Sequence, residues 1–399
     1  MRQPLPAADA LAEITGPYGP VIVAEKVIQR LWARGAFLHT PMRSLSGRVI
    51  RLVYPGKTNT GEGPDFREAV WECDGVRFTG DAEIHFYRDD WRAHGHDHDP
   101  GFDSVALHAV VFPPAAGSHP ARTASGREPE TLVLLPHLPE DLETAAAEDA
   151  LLRGESRPGD APLLEHLVAL APDARRERLA RAARHRWESK VNFARHRVQT
   201  EGVDATAHRL FLETLGLRRN RAPMADLARQ HDLADFAAND ADGLFDAMRG
   251  AWKLAGVRPA NHPRARLRAY GELARLRPNW PAETLDFLAA LPHSGDTAFD
   301  DTAAFRKVAG LPALRAALAE EKLAGAVGGS RLDTVVADAL LPWASATTGR
   351  DFYDYWCHWP LGDAPANTPK VLAAAGLTGQ GTVLSNGLFQ GLLGVALGL

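Results

Sequence analysis

The stretch DFREAVWECDGVRFTGDAEIHF, residues 65–86, decides the fold of the amino-terminal part of the chain. Two runs that alternate apolar and polar residues flank Asp74-Gly75, and Asp-Gly in that setting predicts a β-hairpin with a two-residue turn. Further strands are predicted at 46–54 and 105–112, and a helix is predicted at 21–34. The mixture predicts an α/β domain.

The sequence changes character after about residue 140. Alanine, leucine, arginine and glutamate dominate there, and prolines and glycines divide the sequence into segments of ordinary helix length. We therefore predict two domains, an α/β domain at 1–140 followed by an all-helical domain at 141–399.

Composition excludes several classes of protein. The chain has 399 residues, 45% of them hydrophobic and 24% charged, which is usual for a soluble globular protein. A net charge of -5 gives no overall signal for binding a polyanion. The two cysteines cannot build a disulfide framework. The longest apolar stretch, 387–399, is too short to span a bilayer, so we expect a cytoplasmic protein without a membrane partner.

The second strand of the hairpin carries charge on one face. Side chains alternate between the faces of a strand, so Glu83 and His85 share the face opposite Ile84. Burying a carboxylate and an imidazole on an apolar strand is costly unless that face is wet or binds a cation. The pattern therefore indicates a polar or cation-binding face.

Asp65, at the start of the preceding strand, is a candidate partner for Glu83. A two-residue turn would place Asp65 opposite Ile84, on the wrong face, and one β-bulge, expected at Gly80, would pair it with Glu83 instead. Two converging carboxylates are typical ligands of Mg²⁺ or Mn²⁺. Such a cation activates water and neutralises charge on phosphate, and His85 could take the proton of that water.

The order Pro-Asp, hairpin, Glu-x-His resembles the PD-(D/E)XK nuclease superfamily. The resemblance implies a nuclease-like domain with a restriction-endonuclease-like mixed sheet and helices. It also implies a Mg²⁺-dependent phosphodiesterase acting on nucleic acid, with Asp65, Glu83, His85 and Glu25 as catalytic residues. The last motif position is usually lysine, and histidine is mostly neutral at pH 7. Lys57 could then supply part of the missing charge.

The glycine-rich loop before Asp65 has two interpretations. Lys57, Asn59 and Gly63 could let a phosphate backbone approach closely, or the asparagine and glycine could simply shape a tight turn, since both tolerate positive φ.

Histidines follow the hairpin. Neutral imidazoles are common ligands of zinc, so His94, His96 and His108 predict a rival function, a histidine-ligated metallohydrolase using Zn²⁺. The same histidines could instead assist the carboxylate site or pin the loop through hydrogen bonds. A non-catalytic binding or scaffold protein is the third hypothesis.

The helical part contains two basic segments. Residues 175–197 hold nine lysines or arginines against two glutamates, and a dense positive run can neutralise phosphates. Arginine-rich helices are also often solvated faces with packed stems. The residues predicted to bind nucleic acid are Arg181, Arg184, Lys190, Arg264 and Arg266.

Several segments together resemble one uncharacterised bacterial family, domain of unknown function 2851. They are GKTNTGEGPDFREA (56–69), GDAEIHFYRDDWRAHGHDHD (80–99), VALHAVV (105–111), RPANHPRARL (258–267) and GSRLDTVVADALLPW (329–343). They occur in order over almost the whole chain, so the chain is identified as a member of that family. The resemblance implies no established activity.

Overall fold

The structure is a computed structural model, and the chain in it divides into two compact units. The described residues are 11–16, 19–138, 142, 145–146, 149, 162–254, 257–292, 297–365, 368–377 and 383–397. The first unit comprises 1–14 and 20–149, and the second comprises 15–19 and 150–399.

A seven-stranded mixed sheet forms the framework of the first unit. Its order is β3-β4-β6-β7-β8-β9, with β5 also paired to β6; β7, β8 and β9 run parallel and the other pairs are antiparallel. Two further strands, β1 and β2, form a separate sheet. The predicted α/β class is confirmed. The strands are β1 Leu11–Gly16, β2 Gly19–Ala24, β3 Pro41–Arg43, β4 Val49–Tyr54, β5 Lys57–Thr58, β6 Phe66–Cys73, β7 Val76–His85, β8 Val105–Val110 and β9 Glu130–Val133.

The helix predicted at 21–34 is shorter in the structure. Helix α1 spans Glu25–Ala33, and the preceding residues 21–24 belong to β2. The run Val-Ile-Val at 21–23 explains the difference, because β-branched residues favour strands. Glu25 consequently becomes the first residue of the helix. A short helix α2, Asp90–Ala93, follows the hairpin.

The hairpin has the predicted turn but a different bulge. Cys73 pairs with Val76, and the register stays regular to Ala69 opposite Gly80. Beyond that pair β6 contains one extra residue, so the bulge lies at 67–68 and the expectation of a bulge at Gly80 is wrong. Glu68 has a φ of 56°, and its amide donates to Asp81 Oδ1 at 3.0 Å, which satisfies the backbone at the bulge. The shifted register turns the end of β6 toward Glu83.

Gly80 has a packing role in place of the predicted bulge. A Cβ at this position would lie 2.7 Å from the Cβ of Ala106 and 3.2 Å from the Trp71 ring. We expect Gly80→Ala to lower the free energy of unfolding by about 1–3 kcal/mol, because a well-packed site cannot absorb the methyl group. Gly61→Ala is the control, since its Cβ would meet only Asn59 Oδ1 at 3.6 Å. Equal denaturation midpoints for the two variants would contradict this account.

From residue 150 onward, the described part of the second unit consists of helices and their connections, as predicted. Among the described residues no helix is long and apolar enough to cross a membrane. In chain order its α-helices are α3 Pro162–Ala169, α4 Pro172–Glu201, α5 Val203–Leu215, α6 Leu217–Gln230, α7 Leu233–Ala238, α8 Ala241–Ala247, α9 Pro263–Leu276, α10 Trp280–Ala289, α11 Thr302–Val308, α12 Leu311–Ala317, α13 Gly329–Val335, α14 Leu341–Thr348, α15 Tyr353–His358, α16 Thr368–Ala374 and α17 Asn386–Ala396.

His208 gives the second unit a pH-dependent stability. Its ring is buried, with Nδ1 2.6 Å from the Tyr270 hydroxyl and Nε2 2.9 Å from the His231 carbonyl oxygen. Burial lowers the pKa of His208 to about 4, so the folded protein keeps it neutral while the unfolded chain binds a proton below pH 6.5. We therefore expect its contribution, up to about 3 kcal/mol, to be complete above pH 6.5 and lost as the pH falls toward 4.

Unfolding measured across that pH range tests the expectation. His208→Gln should lose this part of the pH dependence, whereas the control His196→Gln, at an exposed position on α4, should retain it. An unchanged slope in His208→Gln would show that other groups cause the acid sensitivity.

Candidate functional site

Three carboxylates converge where α1 meets the hairpin. The bulge in β6 turns Asp65 toward Glu83, and the Asp65 amide donates to Glu83 Oε2 at 2.9 Å. In return, Asp65 Oδ2 accepts from the Ile84 amide at 3.0 Å. Glu25, at the start of α1, interacts electrostatically with both carboxylates. The structure thus brings together the three predicted acids.

Gln29 joins two of these acids, and sequence reasoning missed it. Its Nε2 donates to Asp65 Oδ1 at 2.9 Å and lies 3.4 Å from Glu25 Oε1. The available signal was its position four residues after Glu25, which places both side chains on one face of a helix.

Three histidines adjoin the carboxylates. His85 lies at the end of β7, while His94 and His96 follow α2 and are separated by Gly95. Gly95 has a φ of 77°, which a glycine adopts without steric cost, and this turn brings both neighbouring rings toward His85. One ligand atom from each histidine lies within 4.8 Å of the others.

Three short distances join Glu83 to the histidines and the histidines to one another. Glu83 Oε1 lies 3.3 Å from His96 Nε2 and 3.5 Å from His85 Nε2, and His85 Nε2 lies 3.1 Å from His94 Nδ1. Ligands about 2.1 Å from a tetrahedral zinc ion lie roughly 3.4 Å from one another. These three distances are close to that value, and His85, His94 and His96 form a group that could hold a metal ion.

His108 lies behind this group. It pairs with Glu83 across β7 and β8, and its Nε2 is 2.9 Å from His85 Nδ1, the ring nitrogen that does not face Glu83. The trio predicted from the sequence, His94, His96 and His108, thus differs from the clustered trio, in which His85 replaces His108. His108 is suited to orient the His85 ring, as outer partners of metal ligands do.

Aromatic packing fixes the histidine loop. The Phe102 ring stacks on His96 with centroids 3.7 Å apart, and Trp91, fully buried, contacts His85, His96 and His108 edge to face. Trp91 also donates from Nε1 to the Arg122 carbonyl oxygen at 2.9 Å. His94 is exposed, so the cluster reaches solvent on that side.

The carboxylates lie in surroundings that disfavour their charge. Burial, followed by repulsion from neighbouring acids, raises the pKa of Glu25 to about 9 and that of Asp65 to about 8. Burial raises the pKa of Glu83 to about 8. In the part of the chain that the structure describes, no lysine or arginine forms an ion pair with any of the three. A bound cation would supply the missing positive charge.

Burial lowers the pKa of the imidazoles, because it disfavours their charged form as it disfavours that of the carboxylates. Desolvation, followed by the neighbouring rings, holds the pKa of His85 well below its usual value. Burial also lowers the pKa of His94 and of His96, and brings that of His108 to about 3. Neutral imidazole is the form that binds a metal, so these rings need not lose a proton before coordination.

The glycine-rich loop shapes the turn before Asp65. Asn59 Nδ2 donates to the carbonyl oxygens of Glu62 and Pro64, both at 3.0 Å, and the Asn59 amide donates to the Asp65 carbonyl oxygen at 2.8 Å. Gly63 has a φ of 96°. These contacts agree with the turn-forming interpretation.

Lys57 pairs with an acid other than Glu25, Asp65 and Glu83. Its Nζ contacts Glu68 Oε2 on the bulge at 2.5 Å, and its side chain is largely exposed. Lys57 therefore pairs with Glu68 in this structure, and the predicted compensation for the missing lysine has no support from the geometry.

The predicted nucleic-acid residues have partners within the second unit. Arg181 pairs with Glu177, Arg184 with Asp351, Arg264 with Asp242, and Arg266 with Asn261. Lys190 is 2% exposed, and its ammonium lies 2.8 Å from Asp338 Oδ1. Lys190 is thus an interior residue, which corrects its predicted surface role. These contacts match the alternative of solvated or packed helix faces.

Substitution of His108 tests whether this residue orients the His85 ring. If the predicted centre binds Zn²⁺, His108→Leu is expected to weaken that binding about 10–100-fold, because the His85 ring loses the partner that fixes its orientation. Competition with a chromophoric chelator measures the affinity, and His98→Leu is the control, since the His98 side chain is 87% exposed. Unchanged affinity in His108→Leu would rule out the orienting role.

Taken together, the fold and the cluster define a protein with an α/β sheet unit that carries a buried histidine–carboxylate centre, followed by a helical unit. The chain belongs to the family described as "Protein of unknown function (DUF2851)", which it matches over residues 25–248. The match begins at Glu25 and includes every residue of the centre. No curated protein and no solved structure matches the chain.

Proposed function

We propose that this protein is a metal-dependent hydrolase that cleaves phosphodiester bonds. The observation that carries the proposal is the cluster of His85, His94 and His96, whose ligand atoms lie within 4.8 Å of one another, with Glu83 Oε1 within 3.5 Å of two of these histidines. The three acids beside this centre add support, because buried acids with raised pKa values, clustered with histidines, are typical of functional sites.

We also propose that the first unit has a restriction-endonuclease-like fold. It is supported by the mixed sheet, the hairpin that carries Asp65 and Glu83, and the helix that contributes Glu25. His85 takes the motif position usually held by lysine, and its neutral ring suits metal binding better than electrostatic stabilisation of phosphate.

In the proposed reaction, Glu83 and the histidines would hold a cation such as Zn²⁺, Mn²⁺ or Mg²⁺, which would supply a water of lowered pKa. Glu83 and the histidines hold the site, and Asp65 and Gln29 position Glu83 and Glu25. Water adds to phosphorus and the P–O ester bond breaks, so one water and one diester give an alcohol and a phosphate monoester. The exposed side of His94 is the route by which a diester would reach the centre.

Assays on the full-length protein test the function. After chelation and reloading with Zn²⁺ or Mn²⁺, we expect metal-dependent cleavage of bis(p-nitrophenyl) phosphate and of single- or double-stranded nucleic acid. Glu83→Gln should lower the rate at least about 100-fold, since several kcal/mol of transition-state stabilisation come from the metal. Glu68→Gln, an exposed acid on the same hairpin, should retain the rate.

Two results would overturn the proposal. One is a folded protein that binds no metal and cleaves none of these substrates. The other is a gain in stability for both Asp65→Asn and Glu83→Gln with no change in any activity, which is the behaviour expected of a non-catalytic binding or scaffold protein.

A further inference from the structure

We infer that the second unit binds a small oxyanion, a phosphate or carboxylate group, at the guanidinium groups of Arg266 and Arg331. The two arginines lie in the segments 258–267 and 329–343, which carry part of the family resemblance and contain no residue of the metal centre. The inference therefore goes beyond the proposed function and does not depend on it.

Arg331 is a buried cation whose donors are not all used. Its side chain is 5% exposed, and Nη1 lies 2.8 Å from Asp363 Oδ2, which is its one ion pair among the residues that the structure describes. Its Nε and Nη1 are buried and have no hydrogen-bond partner. A buried donor without a partner is destabilising, and more so on a charged group. An anion bound at these nitrogens would satisfy them.

Arg315, in the same unit, shows how a fully paired guanidinium group is arranged. Its Nε and Nη2 donate to the two oxygens of Asp333 at 2.6 and 2.9 Å. In Arg331, by contrast, no carboxylate of the described residues accepts from Nε. The planar guanidinium fork matches the paired oxygens of a carboxylate or a phosphate. We therefore expect an oxygen of the ligand at the Nε of Arg331.

Arg266 supplies a second guanidinium group within electrostatic range of the first. Its Nη2 donates to Asn261 Oδ1 at 2.8 Å, its Nε is buried without a partner, and within the described part of the chain it forms no ion pair. Burial lowers the pKa of Arg266, which Asp363 opposes. Burial also lowers the pKa of Arg331 to about 10, which Asp363 opposes and Arg266 reinforces. One carboxylate thus compensates two cations.

Asp363 is held by further donors and marks the side open to solvent. Its Oδ1 accepts from Ser330 Oγ at 2.8 Å, and its Oδ2 accepts from Thr334 Oγ1 at 3.1 Å. The Asp363 side chain is 32% exposed and Ser330 is exposed, so solvent reaches the site here. Arg331 itself is nearly enclosed, hence a small oxyanion suits the site better than the backbone of a nucleic acid.

Calorimetric titration of the full-length protein tests the inference. Inorganic phosphate and acetate are titrated separately at constant ionic strength, with a chelator present so that no metal contributes. We expect saturable binding of one anion per chain, and the ratio of the two Kd values shows whether the site prefers phosphate or carboxylate.

Arg331→Lys and Arg266→Lys keep the positive charge but remove the guanidinium fork, and each should weaken binding at least about tenfold. Arg268→Lys is the matched control, because Arg268 lies on the same helix as Arg266, α9, and its Nη2 already contacts both oxygens of Asp242. It should bind as tightly as the native protein. If Arg331→Lys fails to fold, Arg266→Lys decides the matter alone. Absence of saturable binding, or native affinity in either folded variant, would overturn the inference and leave the proposed hydrolase unaffected.

Discussion

Removal of metal by a chelator is expected to lower the free energy of unfolding of the first unit by about 4 kcal/mol, relative to protein at a free metal concentration about 1,000 times the Kd. The reason lies in the buried acids Glu25, Asp65 and Glu83, which repel one another and have a raised pKa. A cation that binds only the folded state would displace the protons that the raised pKa values hold on these acids, and its net binding free energy would add to stability.

Two variants in the histidine loop, His94→Ala and His96→Ala, should abolish most of that metal-dependent gain. His98→Ala should keep it, although it lies in the same loop, because the His98 side chain is exposed and pairs with Asp97. Chemical denaturation with and without Zn²⁺ measures the difference. A gain of equal size in His94→Ala and His98→Ala would show that the metal binds elsewhere.

The second large effect is expected in the helical unit. Lys190→Met should lower the free energy of unfolding by about 3–5 kcal/mol, because Asp338 would lose the cation that compensates its partly buried charge. Removing both charges in Lys190→Met/Asp338→Leu should recover much of this loss, since an apolar pair of similar volume avoids desolvation altogether.

Arg181→Met is the matched control, since Arg181 lies on the same helix, α4, and pairs with Glu177 at the surface. Its cost should fall within about 0–1 kcal/mol. Both variants are also tested for binding to nucleic acid as a function of salt. A stable Lys190→Met protein with weakened, less salt-dependent binding would restore the role predicted for Lys190 from the sequence.

The hairpin shows how much of the fold can be predicted from local sequence. Asp74-Gly75 predicted the turn, and the register it predicts is present from Cys73–Val76 to Ala69–Gly80. The need for a bulge also followed from the pattern, since Asp65 must move by one position to pair with Glu83. Its place at 67–68 could not be predicted, because the group that satisfies the bulged backbone, the Asp81 carboxylate, comes from the opposite strand.

In the basic helices, local sequence did not predict which acids pair with the arginines and lysines. Composition alone placed Arg184 and Lys190 in one positive run, although their acids Asp351 and Asp338 lie far away in the sequence. Charge patterns describe a helix in isolation, and partners from distant segments decide whether that charge is available to a ligand.

The sequence by itself determined the α/β sheet, the helical remainder and the residues of the centre, because periodicity, turn chemistry and clustered polar residues are local properties. Only the tertiary structure decided which nitrogens face one another. In the structure His85, and not His108, clusters with His94 and His96, and Gln29 lies beside the acids. The structure also decided that the two oxygens of Glu83 contact different groups, His96 and the Asp65 amide. The physical reason is that ligand geometry depends on side-chain directions across strand pairs and helix packing, which spacing along the chain does not specify.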